Sequence, residues 1–319
     1  TSVAEEFGRT SNFKAPIVEG IGTGGGMKLF CQGVGPSTPD IVNASRRMKA
    51  SEMALCEKNG VRDIIEVRFG LDGIILANTK VSPHFTLSLR HIYLALAAKV
   101  PAPGSIGGEA NLIDNPYKRW NEIDPLLPNQ PISVLGPPPT SGTRDAFVET
   151  ALDVGCASYS GNAALYNENQ KRFRLVCRTI REDGHYIESG ENDNLIVQKL
   201  QANPTAIGIF AWSFLDQNSD VLQASDIIDL SGSAVTPTYD SISEMRYPIF
   251  RSLYFYIKKA HIGSVPGIHE YARAFTSEDS WGEYGYLTDR GLIPLSEDDR
   301  RYVRSHIETL QPMEQITSD

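Results

Sequence analysis

Hydroxyl, glycine and arginine residues are concentrated in the stretch from Gly136 to Phe147, which reads Gly-Pro-Pro-Pro-Thr-Ser-Gly-Thr-Arg-Asp-Ala-Phe. The apolar run from Ile132 to Leu135 precedes this stretch and is typical of a buried strand. Apolar residues from Phe147 onwards recur at helical spacing. The pattern therefore predicts a strand, a stiff turn and the start of a helix.

This turn has the chemistry to hold an anion. Ser141 or Thr143 can cap the helix by accepting a hydrogen bond from a free backbone N–H, and Gly142 lets a ligand approach the main chain closely. The remaining amides and the positive end of the helix dipole favour negative charge, and Arg144 adds a cation. The alternative interpretation is a well-capped helix that binds nothing.

Two earlier turns follow the same plan. A strand pattern, Pro16 to Ile21, runs into the glycine-rich segment around Thr23, and Asp40 to Ala44 forms a strand pattern that ends at Ser45. Three turns, at Thr23, Ser45 and Ser141, thus each end a predicted strand. Open α/β sheets bind ligands at the carboxyl ends of their strands, so the three turns together predict one oxyanion site.

Composition limits the class of protein. The chain has 319 residues, enough for two domains, and its 30 basic and 39 acidic residues give a net charge of −9. No basic cluster with interleaved aromatic residues occurs, which argues against nucleic acid as a partner. No apolar run approaches the roughly 20 residues of a membrane span.

Strand and helix patterns alternate along the rest of the chain, which predicts an α/β fold with largely parallel sheets. Helix patterns cover Thr1 to Gly8, Ser51 to Lys58 with Ser51 as its cap, Leu87 to Ala98, Asn192 to Gln201, Gly267 to Phe275 and Ser296 to Ile307. Further strand patterns cover Val61 to Val67, Leu71 to Ala77, Arg174 to Thr179, Ala206 to Trp212 and Tyr247 to Ile257. The Pro/Gly-rich segment from Pro101 to Gly108 is predicted to be a loop.

The four cysteines, Cys31, Cys56, Cys156 and Cys177, permit three pairings. Pairing sequence neighbours would close two modest loops, each worth about 3 kcal/mol. Four buried free thiols in a cytosolic protein fit the cysteine count equally well.

A dinucleotide site is a competing interpretation, because Gly20, Gly22 and Gly25 satisfy G-x-G-x-x-G and Asp40 follows them. In a dinucleotide fold that acid lies at the far end of the next strand, whereas Asp40 stands at the start of one. The glycine pattern therefore stands in the wrong context.

An enzyme is the rival from another class. The sequence has no G-x-S-x-G elbow, no phosphate-binding G-x-x-x-x-G-K-[ST] loop and no pair of histidines at metal-ligand spacing. His185 and Glu188 form only an H-x-x-E, which we interpret as ordinary polarity. We therefore expect no catalytic residues, no metal and no cofactor.

Four strings occur in an order that resembles the periplasmic phosphate-binding protein of the bacterial high-affinity phosphate ABC transporter. They are Gly20 to Gly26, Asp40 to Arg46, Thr140 to Phe147 and Tyr247 to Tyr254. The resemblance implies a type II periplasmic-binding-protein fold with two α/β lobes, each a mainly parallel sheet flanked by helices. The hinge crossings would lie near Ala77 to Val81 and Tyr247 to Leu253, making lobe one 1–78 with 249–319 and lobe two 79–248.

The resemblance also implies a ligand set for phosphate in a cleft between the lobes. Its members are Thr23, Gly24, Ser45, Arg46, Ser141, Gly142, Thr143 and Arg144. Many family members have an aspartate where this chain has Arg46, to accept the proton of hydrogen phosphate, and an arginine cannot accept it. Many also have an arginine where this chain has Pro137 to Pro139, which makes Arg144 the expected substitute.

The remaining implications of the resemblance concern location and partners. It implies a monomeric periplasmic protein that passes phosphate to membrane ABC permease subunits, and it favours disulfides over free thiols. We expect the family's signal peptide, first strand and Ser/Thr-rich loop to be missing ahead of Thr1. The alternatives are a binding protein for a sulfate-like oxyanion or a phosphorylated compound, or a phosphatase-like enzyme.

Overall fold

The computed structural model describes residues 1–105, 111–190 and 193–316. The chain forms two compact units: the first comprises Thr1–Asp72 with Arg251–Asp319, and the second is Gly73–Phe250. These boundaries lie a few residues from the predicted lobes, and the division into two moving lobes stays a prediction.

Helices and strands are interspersed along the described residues, but they alternate less strictly than the sequence predicts. The helices are α1 (Ser2–Thr10), α2 (Thr23–Phe30), α3 (Ala50–Lys58), α4 (Leu89–Leu96), α5 (Trp120–Ile123), α6 (Gly142–Phe147), α7 (Asp153–Ala157), α8 (Ser160–Glu168), α9 (Gln170–Arg178), α10 (Asp193–Ala202), α11 (Trp212–Gln217), α12 (Tyr239–Ser243), α13 (Ile268–Phe275), α14 (Glu278–Trp281) and α15 (Glu297–Thr309). A π-helical segment, Val148–Leu152, joins α6 to α7. In the described part of the chain, α6 to α9 and α13 to α15 follow one another with no strand between them.

The strands are short except for one that belongs to both units. They are β1 (Ile41–Ala44), β2 (Ile64–Thr79), β3 (Thr86–Ser88), β4 (Lys99–Pro101), β5 (Leu112–Asp114), β6 (Val134–Gly136), β7 (Tyr186–Glu188), β8 (Ile207–Ala211), β9 (Leu222–Ala224), β10 (Asp226–Ile228), β11 (Ala234–Val235) and β12 (Phe250–Lys258).

In the first unit, β12 lies between β1 and the first half of β2. β1 and β12 are antiparallel, with Ile41 opposite Ile257. Buried residues of α2, α3 and β1 form one core here, including Met27, Phe30 and Val42. The disulfide Cys31–Cys56 joins this core from the end of α2 to α3.

In the second unit, β8 pairs antiparallel with the second half of β2 and parallel with β6, and β6 pairs parallel with β7. The disulfide Cys156–Cys177 links α7 to α9. Both neighbour pairings of the cysteines are thus confirmed, and the described residues contain no free cysteine. Parallel and antiparallel pairings occur together, so the pairing is more mixed than the predicted, mainly parallel sheets.

Four local predictions are wrong. Pro16 to Ile21 forms no strand: Pro16 has no N–H to donate, and Ile17 is 92% exposed. Likewise, the cap of α3 is Lys49 rather than Ser51, and the Glu52 carboxylate accepts the Lys49 N–H at 2.9 Å.

The segment read as two strands, Val61 to Val67 and Leu71 to Ala77, is the single strand β2. Gly70 interrupts the apolar pattern for a packing reason, since a Cβ there would lie 2.4 Å from the Leu292 side chain and 2.9 Å from the Ile293 carbonyl oxygen. The glycine allows a close approach and does not mark a turn.

The fourth wrong prediction is the strand at Arg174 to Thr179, which is helical and belongs to α9. Phe173, Val176 and Cys177 are buried at helical spacing, and the Asn169 side chain caps the helix by accepting the Arg172 N–H at 3.0 Å. The predicted loop at Pro101 to Gly108 extends into residues outside the described ranges. Within those ranges, no helix is both long and apolar enough to cross a membrane.

Candidate anion site

The Thr23 turn, defined as Gly22–Gly26 with Ser45 and Arg46, lies in the first unit. The Thr23 hydroxyl is 3.0 Å from the Ser45 hydroxyl and accepts the Ser45 N–H at 3.1 Å. Thr23 is buried and begins α2, after Gly22 with a left-handed φ of 72°. The structure therefore brings together two turns that lie more than 20 residues apart in the sequence.

Glycine permits the packing that places Thr23. A Cβ at Gly26 would lie 2.8 Å from a Val42 methyl group, so the glycine lets α2 sit close against β1. Gly24 and Gly25 are exposed, and a Cβ at Gly24 would meet nothing within 4 Å. Because the first amides of a helix have no acceptor within it, the backbone at Gly24 can donate to a small ligand.

Arg46 is held by a carboxylate. Its guanidinium donates to both oxygens of Glu52, at 2.8 and 2.9 Å, and to the Arg47 carbonyl oxygen at 3.1 Å. The Arg46 and Glu52 side chains are only 13% and 18% exposed. This bidentate ion pair neutralises the charge of Arg46 beside the turn.

The Ser141 turn, defined as Gly136–Arg144, lies in the second unit. Ser141 is the N-cap of α6, and its hydroxyl accepts the Thr143 N–H at 3.2 Å. The Ser141 N–H donates in turn to the Pro138 carbonyl oxygen at 3.0 Å. Of the two candidate caps in the sequence, Ser141 is the one that caps the helix. The backbone N–H groups of Gly142 and Arg144 lie in the first turn and have no acceptor within the helix.

Arg144 lies against the aromatic ring of Tyr186, with its guanidinium carbon 5.0 Å from the ring centroid. It donates to the Pro137 carbonyl oxygen and to the Glu188 carboxylate, each at 3.3 Å. The Tyr186 hydroxyl donates to the same Pro137 oxygen at 2.7 Å. Burial raises the pKa of Tyr186 to about 12, so it stays a neutral donor.

The turn and Glu188 stand at the same edge of the sheet. β6 and β7 are parallel, Gly136 is opposite Glu188, and the Ser189 N–H donates to the Gly136 carbonyl oxygen at 2.9 Å. A Cβ at Gly136 would lie 2.3 Å from the Tyr186 hydroxyl oxygen, so only glycine fits there. The carboxyl ends of two parallel strands thus carry a cap, an arginine and a carboxylate.

Tyr186 and Glu188 lie against Arg144 and are not among the site residues that the sequence predicts. The H-x-x-E of His185 and Glu188 was interpreted as ordinary polarity, and His185 does have a structural role, with its Nδ1 2.7 Å from the Ile132 carbonyl oxygen. Glu188 differs, because strand pairing places it next to Arg144. No local spacing in the sequence carries that signal.

Asp40, the acid of the competing glycine pattern, lies 2.6 Å from Nδ1 of His261. The Gly35 N–H donates to Nε2 of that histidine at 3.2 Å, so Asp40 orients a buried imidazole. Across the described ranges, no group of three or more His, Cys, Asp and Glu side chains is placed to hold a metal ion.

The strand ends, capped helices and mixed sheets define an α/β fold of the type II periplasmic-binding-protein class. The chain belongs to the PBP superfamily, since a model described as a PBP superfamily domain matches residues 1–279. The family resemblance seen in the sequence is thereby confirmed.

Named relatives come from several bacteria. The chain is 29% identical to protein SphX of Synechococcus elongatus, covering 82% of this chain and 67% of that protein. It is 25% identical to the phosphate-binding protein PstS of Staphylococcus saprophyticus, covering 91% and 74%. An ABC-type phosphate transport receptor from Vibrio cholerae has the same fold, with a TM-score of 0.60, 15% identity and coverage of 92% and 93%.

Proposed function

We propose that this chain is an extracytoplasmic solute-binding protein that captures inorganic phosphate and delivers it to membrane ABC permease subunits. Membership of the PBP superfamily and the similarity to a protein named phosphate-binding protein PstS support this function. The two disulfides fit an oxidising compartment outside the cytoplasm.

The observation that carries the proposal is the Ser141 turn. A capped helix start, backbone amides and a guanidinium occur together at the carboxyl ends of parallel strands. Charge-assisted hydrogen bonds of this kind hold phosphate more firmly than neutral ones. The proposed ligands here are Ser141, Gly142, Thr143 and Arg144.

The Thr23 turn supplies the second proposed group of ligands. Thr23 and Ser45 offer hydroxyls that can donate to one phosphate oxygen or accept from another, and Gly24 offers a backbone N–H. Arg46 is also a proposed ligand through its guanidinium, which Glu52 holds in place and whose charge that ion pair largely compensates.

Calorimetry with phosphate, arsenate and sulfate tests this function. We expect one phosphate per chain, arsenate competing with it, and sulfate binding more weakly. Sulfate bound as tightly as phosphate would favour the wider oxyanion class, and no binding of any of the three would refute the function.

The rival enzyme function is tested separately. We propose that the chain performs no covalent chemistry on its ligand, because neither turn presents a nucleophile beside a base among the contacts described. Incubation with p-nitrophenyl phosphate is expected to release no nitrophenolate. Release that is abolished by Ser141→Ala would revive the phosphatase alternative.

A further inference from the structure

We propose that Glu188 is the specificity-determining residue of the Ser141 turn, accepting a hydrogen bond from the hydroxyl of a protonated oxyanion and repelling oxyanions that carry no proton. This inference rests on the proposed function, and it assigns a role to a residue outside the ligand set predicted from the sequence.

Placement is the first argument. Glu188 ends β7, directly opposite Gly136 at the end of β6, and the Ser141 turn begins at Gly136. The backbone link from the Ser189 N–H to the Gly136 carbonyl oxygen fixes this juxtaposition at 2.9 Å. The carboxylate is therefore part of the edge of the sheet on which the anion turn is built.

Availability is the second argument. Within the described part of the chain, Arg144 is the polar partner of Glu188, through a single contact of 3.3 Å between Nη1 and Oε1. The Glu188 side chain is 52% exposed, and the contact with Arg144 uses only one of its two oxygens. By contrast, the carboxylate of Glu52 in α3, beside the Thr23 turn, receives three hydrogen bonds, two from Arg46 and one from the Lys49 N–H.

Charge provides the discrimination. At neutral pH phosphate and arsenate each carry at least one hydroxyl, whereas sulfate and selenate carry none. A carboxylate next to an oxyanion is repelled unless a proton lies between them, and it then accepts a charge-assisted hydrogen bond. Hydroxyls such as those of Thr23 and Ser45 can also accept the proton, but they do not repel a bare dianion.

The test is the affinity ratio of two ligand pairs, phosphate against sulfate and arsenate against selenate, measured by calorimetry on the wild type and on Glu188→Gln. The variant is expected to lower both ratios at least about tenfold, because the protonated anions lose an acceptor and the bare anions escape repulsion. Glu188→Asp is expected to restore part of the preference.

Two control variants keep the result interpretable. Glu182→Gln removes a charge from an exposed acid shortly before β7 and is expected to leave both ratios unchanged. Asp145→Asn tests the other carboxylate near the turn, and a loss of preference there instead of at Glu188 would overturn the assignment.

An equal loss of affinity for all four anions in Glu188→Gln would also overturn the assignment of Glu188, because Glu188 would then act only by positioning Arg144. Unchanged ratios would overturn it as well, while leaving phosphate binding itself intact. A wild type that binds no phosphate would instead refute the proposed function and this inference together.

Discussion

The Thr23 turn and the Ser141 turn each begin a helix and each include an arginine, but they differ in how that arginine is held. Arg46 is bound by both oxygens of Glu52 at 2.8 and 2.9 Å, whereas Arg144 has one 3.3 Å contact with Glu188 and lies over the Tyr186 ring. A bidentate ion pair compensates charge more completely than a single long contact. We infer that Arg144 supplies most of the positive charge that holds the anion, and that Arg46 stabilises its turn.

Replacing Arg144 is the change with the largest expected effect on binding. We expect Arg144→Ala to weaken phosphate binding by about 1.5–3 kcal/mol, because a charged hydrogen bond is lost. Calorimetry measures this directly, and the melting temperature of the variant controls for unfolding. An unchanged affinity would show that Arg144 points away from the ligand.

Arg46→Ala is the matched variant in the other turn. It leaves the mostly buried carboxylate of Glu52 without its cation, so the free energy of unfolding is expected to fall by about 1–3 kcal/mol. Phosphate affinity is expected to fall less than in Arg144→Ala. Denaturant unfolding and calorimetry of both variants test the comparison, and the reverse order of affinities would show that Arg46 is the main cation.

Removing the Ser141 hydroxyl has a smaller effect on stability. Ser141→Ala deletes the cap that accepts the Thr143 N–H, and we expect the free energy of unfolding to fall by about 1 kcal/mol. Ser141→Asp restores a cap but adds a negative charge. It is therefore expected to recover stability in urea unfolding while phosphate binding stays weak. Full phosphate binding by Ser141→Asp would contradict the role of this turn.

The smallest expected effect is a pH dependence of the free energy of unfolding, which arises from a residue of the first unit away from both turns. Lys258 is buried, donates to the Gly33 carbonyl oxygen and the Thr38 hydroxyl, and has its pKa lowered to about 8 by desolvation. The folded state thus binds this proton more weakly than the unfolded state does. The contribution of Lys258 to stability is therefore present above its unfolded pKa of 10.5 and is lost as the pH falls towards 8.

Urea unfolding between pH 8 and 10.5 is expected to show stability rising with pH for the wild type, and a smaller rise for Lys258→Met. Tyrosines raised in pKa by burial, such as Tyr186, act in the opposite direction above pH 10, so the comparison with Lys258→Met is essential. If the free energy of unfolding rises equally steeply with pH in the two proteins, Lys258 is not the source of the pH dependence.

The parts of the site that were predictable from the sequence are local. Ser141 stands at a strand-to-helix turn and Thr23 at a glycine-rich helix start, both indicated by local composition, and the α/β class follows from alternating patterns. Ser45, the partner of Thr23, was predictable too, since it follows a strand of its own. The cysteine count left the pairing open, and only the family resemblance favoured disulfides.

Features that depend on contacts distant in the sequence were not predictable. Gly70 looks like a strand break, yet its lack of a Cβ makes room for Leu292. Similarly, Glu188 appears as an isolated acid until parallel pairing sets it opposite Gly136. The apolar residues of α9 have a short spacing that fits a strand or a helix, and the burial of Phe173, Val176 and Cys177 on one face decides for the helix.

A crystal structure of the protein grown with phosphate is the most direct test of the account. It is expected to show one phosphate that accepts hydrogen bonds from the Ser141 and Thr143 hydroxyls, the backbone amides of Gly142 and Arg144, and the Arg144 guanidinium. A phosphate bound elsewhere, with Arg144 still paired only to Glu188 and Pro137, would contradict it.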